Sequence, residues 1–326
     1  MERFQWEDLP DTSQRAFTAR FGRVLHTRGA PPGLSPGVAA RITAAGGPVF
    51  LKAVPVRSPA AGDYRREREV VPTLPAGVPA ARLLWDHEDD RWLLLAFACI
   101  DARPADLSPG GDAGAVMGSL AGMGPLLEVC PVPGLRPIAA KIGSFAERAR
   151  ALLADPPAEL ADAAVHEKAL EEMDLSDFSG SALVHADPHP GNILVAVDGR
   201  VVWVDWALSA RAAPWVDAAL LVPRLIAAGW PPAEAEAWAA RHPAWAKAPA
   251  PALTGLASVR ALFSLERALH GPARLAGGRR KAVEPLLAWF HHRLARTKPH
   301  GPGSGTGEHR PSRSGRSGRP PRIPPG

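Results

Sequence analysis

Cysteine is scarce in this chain of 326 residues: Cys99 and Cys130 are the only two, and they form no CxxC pair. That excludes a disulfide-stapled domain and a four-cysteine zinc site, and it suits a reducing compartment. Long apolar stretches are missing as well. The longest unbroken run, Trp92 to Ile100, is nine residues, against the ~20 that a membrane-spanning helix needs. The start, MERFQWEDLPD, is acidic and polar, so no signal peptide is expected. The reading is therefore cytoplasmic, with no membrane partner. Neither GxGxxG nor a Walker A loop occurs, which removes two common nucleotide fingerprints. No internal repeat is apparent.

What is present fits one large or two modest globular domains, with 46% hydrophobic and 22% charged residues. The net charge of +5 is concentrated in the tail. From His300 onward the chain carries five arginines against one glutamate, amid Gly, Pro and Ser. Such a segment buries too little apolar area to order itself, so 299–326 is expected to be a disordered basic tail. The rest is close to neutral, which argues against a specific nucleic-acid face.

The chain is organised around LVHADPHPGNILVAVDGRVVWVDW, Leu183 to Trp206. Two valine-rich runs flank Asp198-Gly199, a strong signal for a two-residue hairpin turn. If Val197 faces Arg200, the register sets Ile193 opposite Val204 and Asn192 opposite Asp205. An amide oxygen and a carboxylate would then converge, a pair able to hold Mg2+ together with phosphate oxygens. His185 and Asp187 lie just upstream. The order H-x-D-x-x-x-x-N, hairpin, Asp is the one used in phosphoryl transfer, where one carboxylate orients the acceptor hydroxyl while Asn and Asp hold the metal. An ordinary hairpin with turn aspartates is the plain alternative. A zinc site from His185, Asp187 and His189 is another, although no Cys or further His stands nearby to complete its shell.

At these residues the sequence resembles the aminoglycoside phosphotransferase family, the small-molecule branch of the protein-kinase-like fold. HADPHPGN stands where that family has its catalytic loop, and VDW where protein kinases have Asp-Phe-Gly. The resemblance implies an α+β, protein-kinase-like bilobal fold, with a small antiparallel β-sheet N-lobe and a mostly helical C-lobe. It implies transfer of the γ-phosphate of ATP (or GTP), with Mg2+, to a hydroxyl of a small molecule. Asp187 would be the catalytic carboxylate, and Asn192 and Asp205 the metal ligands. Residues 1–97 would bind the nucleotide, and 98–298 would carry catalysis and the acceptor.

A helix is expected over Leu9 to Phe21, N-capped by Asp11 or Thr12 and stopped by Gly22. Strands are expected at Val24 to Thr27, Val38 to Thr43 and Pro48 to Val54. Between the first two lies Leu34-Ser35-Pro36-Gly37, where Ser35 and Gly37 could lay backbone N–H groups over phosphates, or simply turn the chain. Lys52, the first lysine in the sequence, sits inside an apolar strand. Most strand lysines reach solvent; matched to the kinase pattern, this one touches the α- and β-phosphates. On the next helix, Gly62 to Val71, Glu67 falls on the apolar face with Tyr64 and Val71, whereas Glu69 shares the polar side with Arg65 and Arg66. An inward carboxylate needs a partner, and Lys52 is the candidate.

A hairpin of Val78 to Trp85 and Trp92 to Phe97 follows, and the resemblance has Phe97 and Ala98 supplying backbone groups to the adenine edge. Helices are expected at Ser144 to Leu153, Pro157 to Met173, Pro232 to Arg241, Ser258 to His270 and Lys281 to Arg296. The acidic run Glu171, Glu172, Asp174 and Asp177 reads as a solvated face or an acceptor site. Asp217 opens an apolar helix; it either complements the helix dipole or, as the resemblance implies, reaches back to the catalytic loop.

The acceptor is not fixed by these motifs. Aminoglycosides are polycations and call for carboxylates, yet arginines outnumber acids between Leu208 and Arg296. This leaves room for a neutral or anionic alcohol. Two rival readings are an atypical kinase of the ubiquinone-linked kind, whose Lys-x-Gly-Gln signature is missing here, and a catalytically inactive nucleotide- or partner-binding module.

Overall fold

Period-two alternation of apolar residues makes the N-terminal part a five-stranded antiparallel sheet. Its strands are β1 (Val24–Gly29), β2 (Val38–Ala44), β3 (Gly47–Pro55), β4 (Leu83–Glu88) and β5 (Trp92–Ala98), ordered β1-β2-β3-β5-β4. The computed structural model describes residues 4–30, 37–158, 160–272 and 276–297. Ser35 and the tail from 299 lie outside the described residues.

Between β3 and β4, β5 is buried from Trp92 to Phe97, which explains its unbroken apolar run. One face of the sheet, including Ile42, Leu51 and Leu94, packs with Phe17 of helix α1 (Asp11–Phe21). The other face sends Val54, Leu93, Leu95 and Phe97 into the main core. This alternation decides where Lys52 goes: Leu51 and Ala53 belong to the α1 face, so the side chain between them emerges on the inner one.

Helix α1 starts later than expected. Pro10 is its cap residue, with an extended backbone and no side-chain cap bond. Asp11 lies in the first turn, where its charge complements the dipole, and Gly22 ends the helix at φ 82°.

Helices dominate the remainder: α2 (Ala61–Val70), α3 (Ala113–Met123), α4 (Ile138–Ala154), α5 (Ala163–Glu171), α6 (Val216–Ala227), α7 (Pro232–Ala239), α8 (Ala250–His270) and α9 (Ala276–Thr297). Among them run β6 (Ala102–Pro104), β7 (Ala182–Val184), β8 (Ile193–Ala196), β9 (Val201–Trp203) and β10 (Ala210–Ala212), paired as β6-β8-β9 and β10-β7. Helix α4 begins six residues before the expected start because Pro137 supplies an extended cap and Ile138 and Ile142 add a buried turn. Among the described residues no helix is long and apolar enough to cross a membrane.

The reversal at 198–199 corrects the expected register. Ile193 pairs with Trp203 rather than Val204, and Val195 with Val201. The Ala196 N–H donates to Arg200 O and the Gly199 N–H to Ala196 O. This is a three-residue loop, in which Gly199 alone takes a left-handed φ, 82°. A two-residue type I′ turn would need positive φ at Asp198 too, which glycine tolerates far better than an L-residue. Asn192 therefore faces Val204, whose N–H donates to Asn192 O at 2.9 Å, and Asp205 lies one step beyond the ladder.

Candidate active site

Two short segments carry the site, 185–192 before the hairpin and 204–208 after it, and each contains one strained residue. Among the described residues, Ala186 (φ 62°) and Asp205 (φ 65°) are the non-glycine residues with positive φ, a conformation that persists only where surrounding bonds hold it. Those bonds are present. Asp217, in the first turn of α6 and 5% exposed, accepts the N–H of His185 at 2.7 Å and of Ala186 at 2.8 Å. Burial pushes the Asp217 carboxyl above its ordinary pKa, with His185 and the two N–H donors pulling it back. His185 is buried beside Trp203 and Trp206. Its Nε2 lies 2.9 Å from Val204 O, an acceptor, and its Nδ1 receives the Asp187 N–H at 3.3 Å. This pattern has Nε2 donating to Val204 O and Nδ1 accepting. With both nitrogens engaged, His185 cannot join a zinc site with Asp187 and His189.

These bonds aim Asp187. Asn192 Nδ2 donates to Asp187 Oδ2 at 3.0 Å and to its backbone O at 3.2 Å. Because both partners only accept, the amide NH2 faces Asp187 and Asn192 Oδ1 points away from it. Arg224, seven residues and two turns after Asp217 on α6, places Nη2 3.5 Å from Asp187 Oδ1.

Lys52 is the hub of the other side. Its Nζ lies 2.9 and 2.8 Å from the two Glu67 oxygens and 3.0 Å from Asp205 Oδ1. Glu67 is 1% exposed, whereas Glu69 faces solvent. Burial alone would lower the Lys52 pKa, but Glu67 and Asp205 outweigh it and the ammonium is held above its ordinary value. Burial likewise works to raise Asp205, and Lys52 overcomes it, leaving that carboxyl below its usual range. Helix α2 is tied to the same segment a second way, through Arg66 Nη1 donating to Ala207 O at 2.8 Å.

This donor set fits a Mg2+ ion. Asn192 offers an amide oxygen and Asp205 keeps a carboxylate oxygen beyond the one held by Lys52, the one-carboxylate arrangement that Mg2+ accepts when phosphates and water complete its shell. Among the described residues no three His, Cys, Asp or Glu side chains form a metal-holding group of their own.

The other expected nucleotide contacts stand differently. Gly37 is buried beneath β3: a Cβ there would sit 2.2 Å from Ala53 O and 2.9 Å from the Tyr64 hydroxyl. Close packing, not only turn geometry, requires glycine at this position. The Phe97 ring lies 5.7 Å from Lys52 Nζ. The Ala98 N–H is already donated to Arg82 O at 2.8 Å, so it is not free for a base. The chain leaves the strands only at Cys99, Ile100 and Asp101. The acidic run 171–177 is mostly exposed, with Asp174 capping the Ser176 N–H.

Three cations near Asp187 escaped the sequence reading: Arg224, and Lys141 and Arg260 on α4 and α8. The last two line a small pocket, about 20 Å³ in volume, with Ile138, Phe145, Ala186 and Leu220. A signal existed in the spacing, since Lys141 falls on the buried face Ile138-Ile142-Phe145 and Arg260 four residues after Leu256.

No curated protein matches the sequence. Among solved structures, a thermostable mutant of aminoglycoside phosphotransferase APH(4)-Ia in ternary complex with ADP and hygromycin B has TM-score 0.60 and 18% identity, covering 90% of this chain and 100% of that one. Choline kinase LicA from Streptococcus pneumoniae gives 0.55 and 14%, covering 85% and 100%. Spectinomycin phosphotransferase APH(9)-Ia, in complex with ADP and spectinomycin, gives 0.58 and 12%, covering 87% and 94%. At these identities the likeness is one of fold, a protein-kinase-like arrangement of sheet lobe and helical lobe. In sequence, the Phosphotransferase enzyme family matches residues 26–262, most of the chain. The chain belongs to that family.

Proposed function

We propose that this protein is an ATP- and Mg2+-dependent kinase that phosphorylates a hydroxyl of a small molecule. One observation carries the reading above all: the Lys52 ammonium joins Glu67 to Asp205 across 138 sequence positions, so the sheet lobe and the hairpin share one charged centre. Residues 1–97 form the nucleotide-binding lobe in this reading, and 98–298 the catalytic and acceptor lobe.

Lys52, steadied by Glu67, holds the nucleotide phosphates. Backbone groups of 99–101, beyond the already bonded Ala98, receive the base edge. Asn192 and Asp205 hold Mg2+, which when bound neutralises charge on the phosphoryl oxygens. Asp187, oriented by Asn192 and by the His185–Asp217 brace, aligns the acceptor hydroxyl. The hydroxyl oxygen forms the new bond to the γ-phosphorus as the bond to the β–γ bridging oxygen breaks, and its proton passes to Asp187. Alignment and charge neutralisation supply the rate.

A coupled assay of ATP consumption across a panel of alcohols tests this, with Asp187→Asn as control. Acceptor-dependent turnover that the substitution lowers by ~10²–10⁴-fold is expected. Turnover by the variant at the wild-type rate would remove the assignment, and nucleotide binding without transfer to any alcohol would favour an inactive binding module.

A further inference from the structure

The pocket beside Asp187 has an unbalanced charge. Lys141 and Arg260 line it, and Arg224 reaches Asp187 from α6. The carboxylates facing this group are Asp187 and Asp63, and Asp63 already bonds Arg66 at 3.1 Å. Three cations thus share Asp187 alone. Among the described residues Arg260 makes no hydrogen bond or ion pair, and Lys141 only stands over the Phe145 ring at 5.9 Å. Two buried or half-buried acids elsewhere in the helical lobe are occupied, Glu236 with Arg293 and Trp289, and Glu266 with Arg148. Burial, and then Arg224, pull the Arg260 pKa down to about 10, so the guanidinium remains charged near neutrality and lacks a counter-ion. Burial, then Arg260, lowers Lys141 in the same way.

A half-buried, unpaired guanidinium is costly to keep, and its five donors suit a carboxylate or phosphate. We propose that the acceptor alcohol is an anion whose carboxylate or phosphate is held by Arg260 and Lys141 while its hydroxyl reaches Asp187. The inference rests on the kinase reading above and names the acceptor class for that site. A polycation would meet like charge at the point where it must bind.

The test uses the full chain saturated with Mg·AMP-PNP, titrated calorimetrically with four sugars of one scaffold: glucuronate, glucose 6-phosphate, glucose and glucosamine. At least one anion is expected to bind about tenfold or more tightly than glucose, and glucosamine more weakly than glucose. Which of the two anions binds better distinguishes a carboxylate site from a phosphate site. Arg260→Gln and Lys141→Gln should each remove most of the anion-over-glucose ratio, and Arg260→Lys should keep part of it. Equal binding of anions and glucose, tighter binding of glucosamine, or an unchanged ratio in both glutamine variants would overturn the proposal. If a variant fails to fold, the wild-type ratio decides alone. Failure of the wild-type chain to bind Mg·AMP-PNP, read at the first step, would instead overturn the kinase reading itself.

Discussion

The two sides of the cleft handle charge in opposite ways. Around Lys52 one ammonium is flanked by two carboxylates, Glu67 and Asp205, all within 3.0 Å. At the pocket beside it, Arg224 lies 3.5 Å from the carboxylate of Asp187, and Arg260 and Lys141 feel that same carboxylate from farther off. The first cluster is internally satisfied and holds α2 against the segment after the hairpin. The second is left for something else to satisfy. A folded chain tolerates unmatched buried charge chiefly where a ligand completes it, because the same cations without a partner only lower stability.

The largest effect should separate the carboxylates of the two sides. Asp187→Asn and Asp205→Ala are each expected to cut turnover by ~10²–10⁴-fold, while Asp205→Ala alone weakens Mg·nucleotide affinity. Equal loss of nucleotide affinity in both variants would erase the division into sides.

A smaller effect probes the matched cluster. Lys52→Met leaves Glu67 and Asp205 facing each other, and urea unfolding should show a loss of about 3–5 kcal/mol. Adding Glu67→Met should return part of it. A Lys52→Met variant as stable as wild type would mean the cluster is not matched after all.

The smallest effect, opposite in sign, probes the unmatched cluster. The folded pKa of Arg260, about 10, lies below its ordinary value, so between the two the unfolded chain binds more protons. Stability therefore rises with pH through that window, and at pH 7 the charged guanidinium is a net cost. Arg260→Gln should raise the melting temperature at pH 7 by ~2–4 °C, an advantage that begins to shrink near pH 10. A lower melting temperature would show that Arg260 is already satisfied.

Much of the site was legible because its signals are local. Helical spacing separated Glu67 from Glu69, and strand alternation turned Lys52 inward. The hairpin was legible as a turn but not in register: Asp-Gly serves both a two-residue loop and a three-residue loop with glycine last, and the two differ by one residue in pairing. Asn192 therefore faces Val204, and the left-handed backbone of Asp205, not the ladder, carries that carboxylate to Lys52. The Ala98 N–H reads as free in sequence because nothing local announces Arg82 as its acceptor.

By itself the sequence determined the sheet-then-helix architecture, the order of the chemistry-bearing residues and the family, since periodicity, turn residues and motif spacing act over a few positions. The tertiary structure alone decided the character of the pocket beside Asp187. Lys141, Arg224 and Arg260 stand on three helices, and each taken singly reads as a cation bound for solvent. Packing brings them to one carboxylate, because burying the apolar faces of those helices fixes which charges share a pocket.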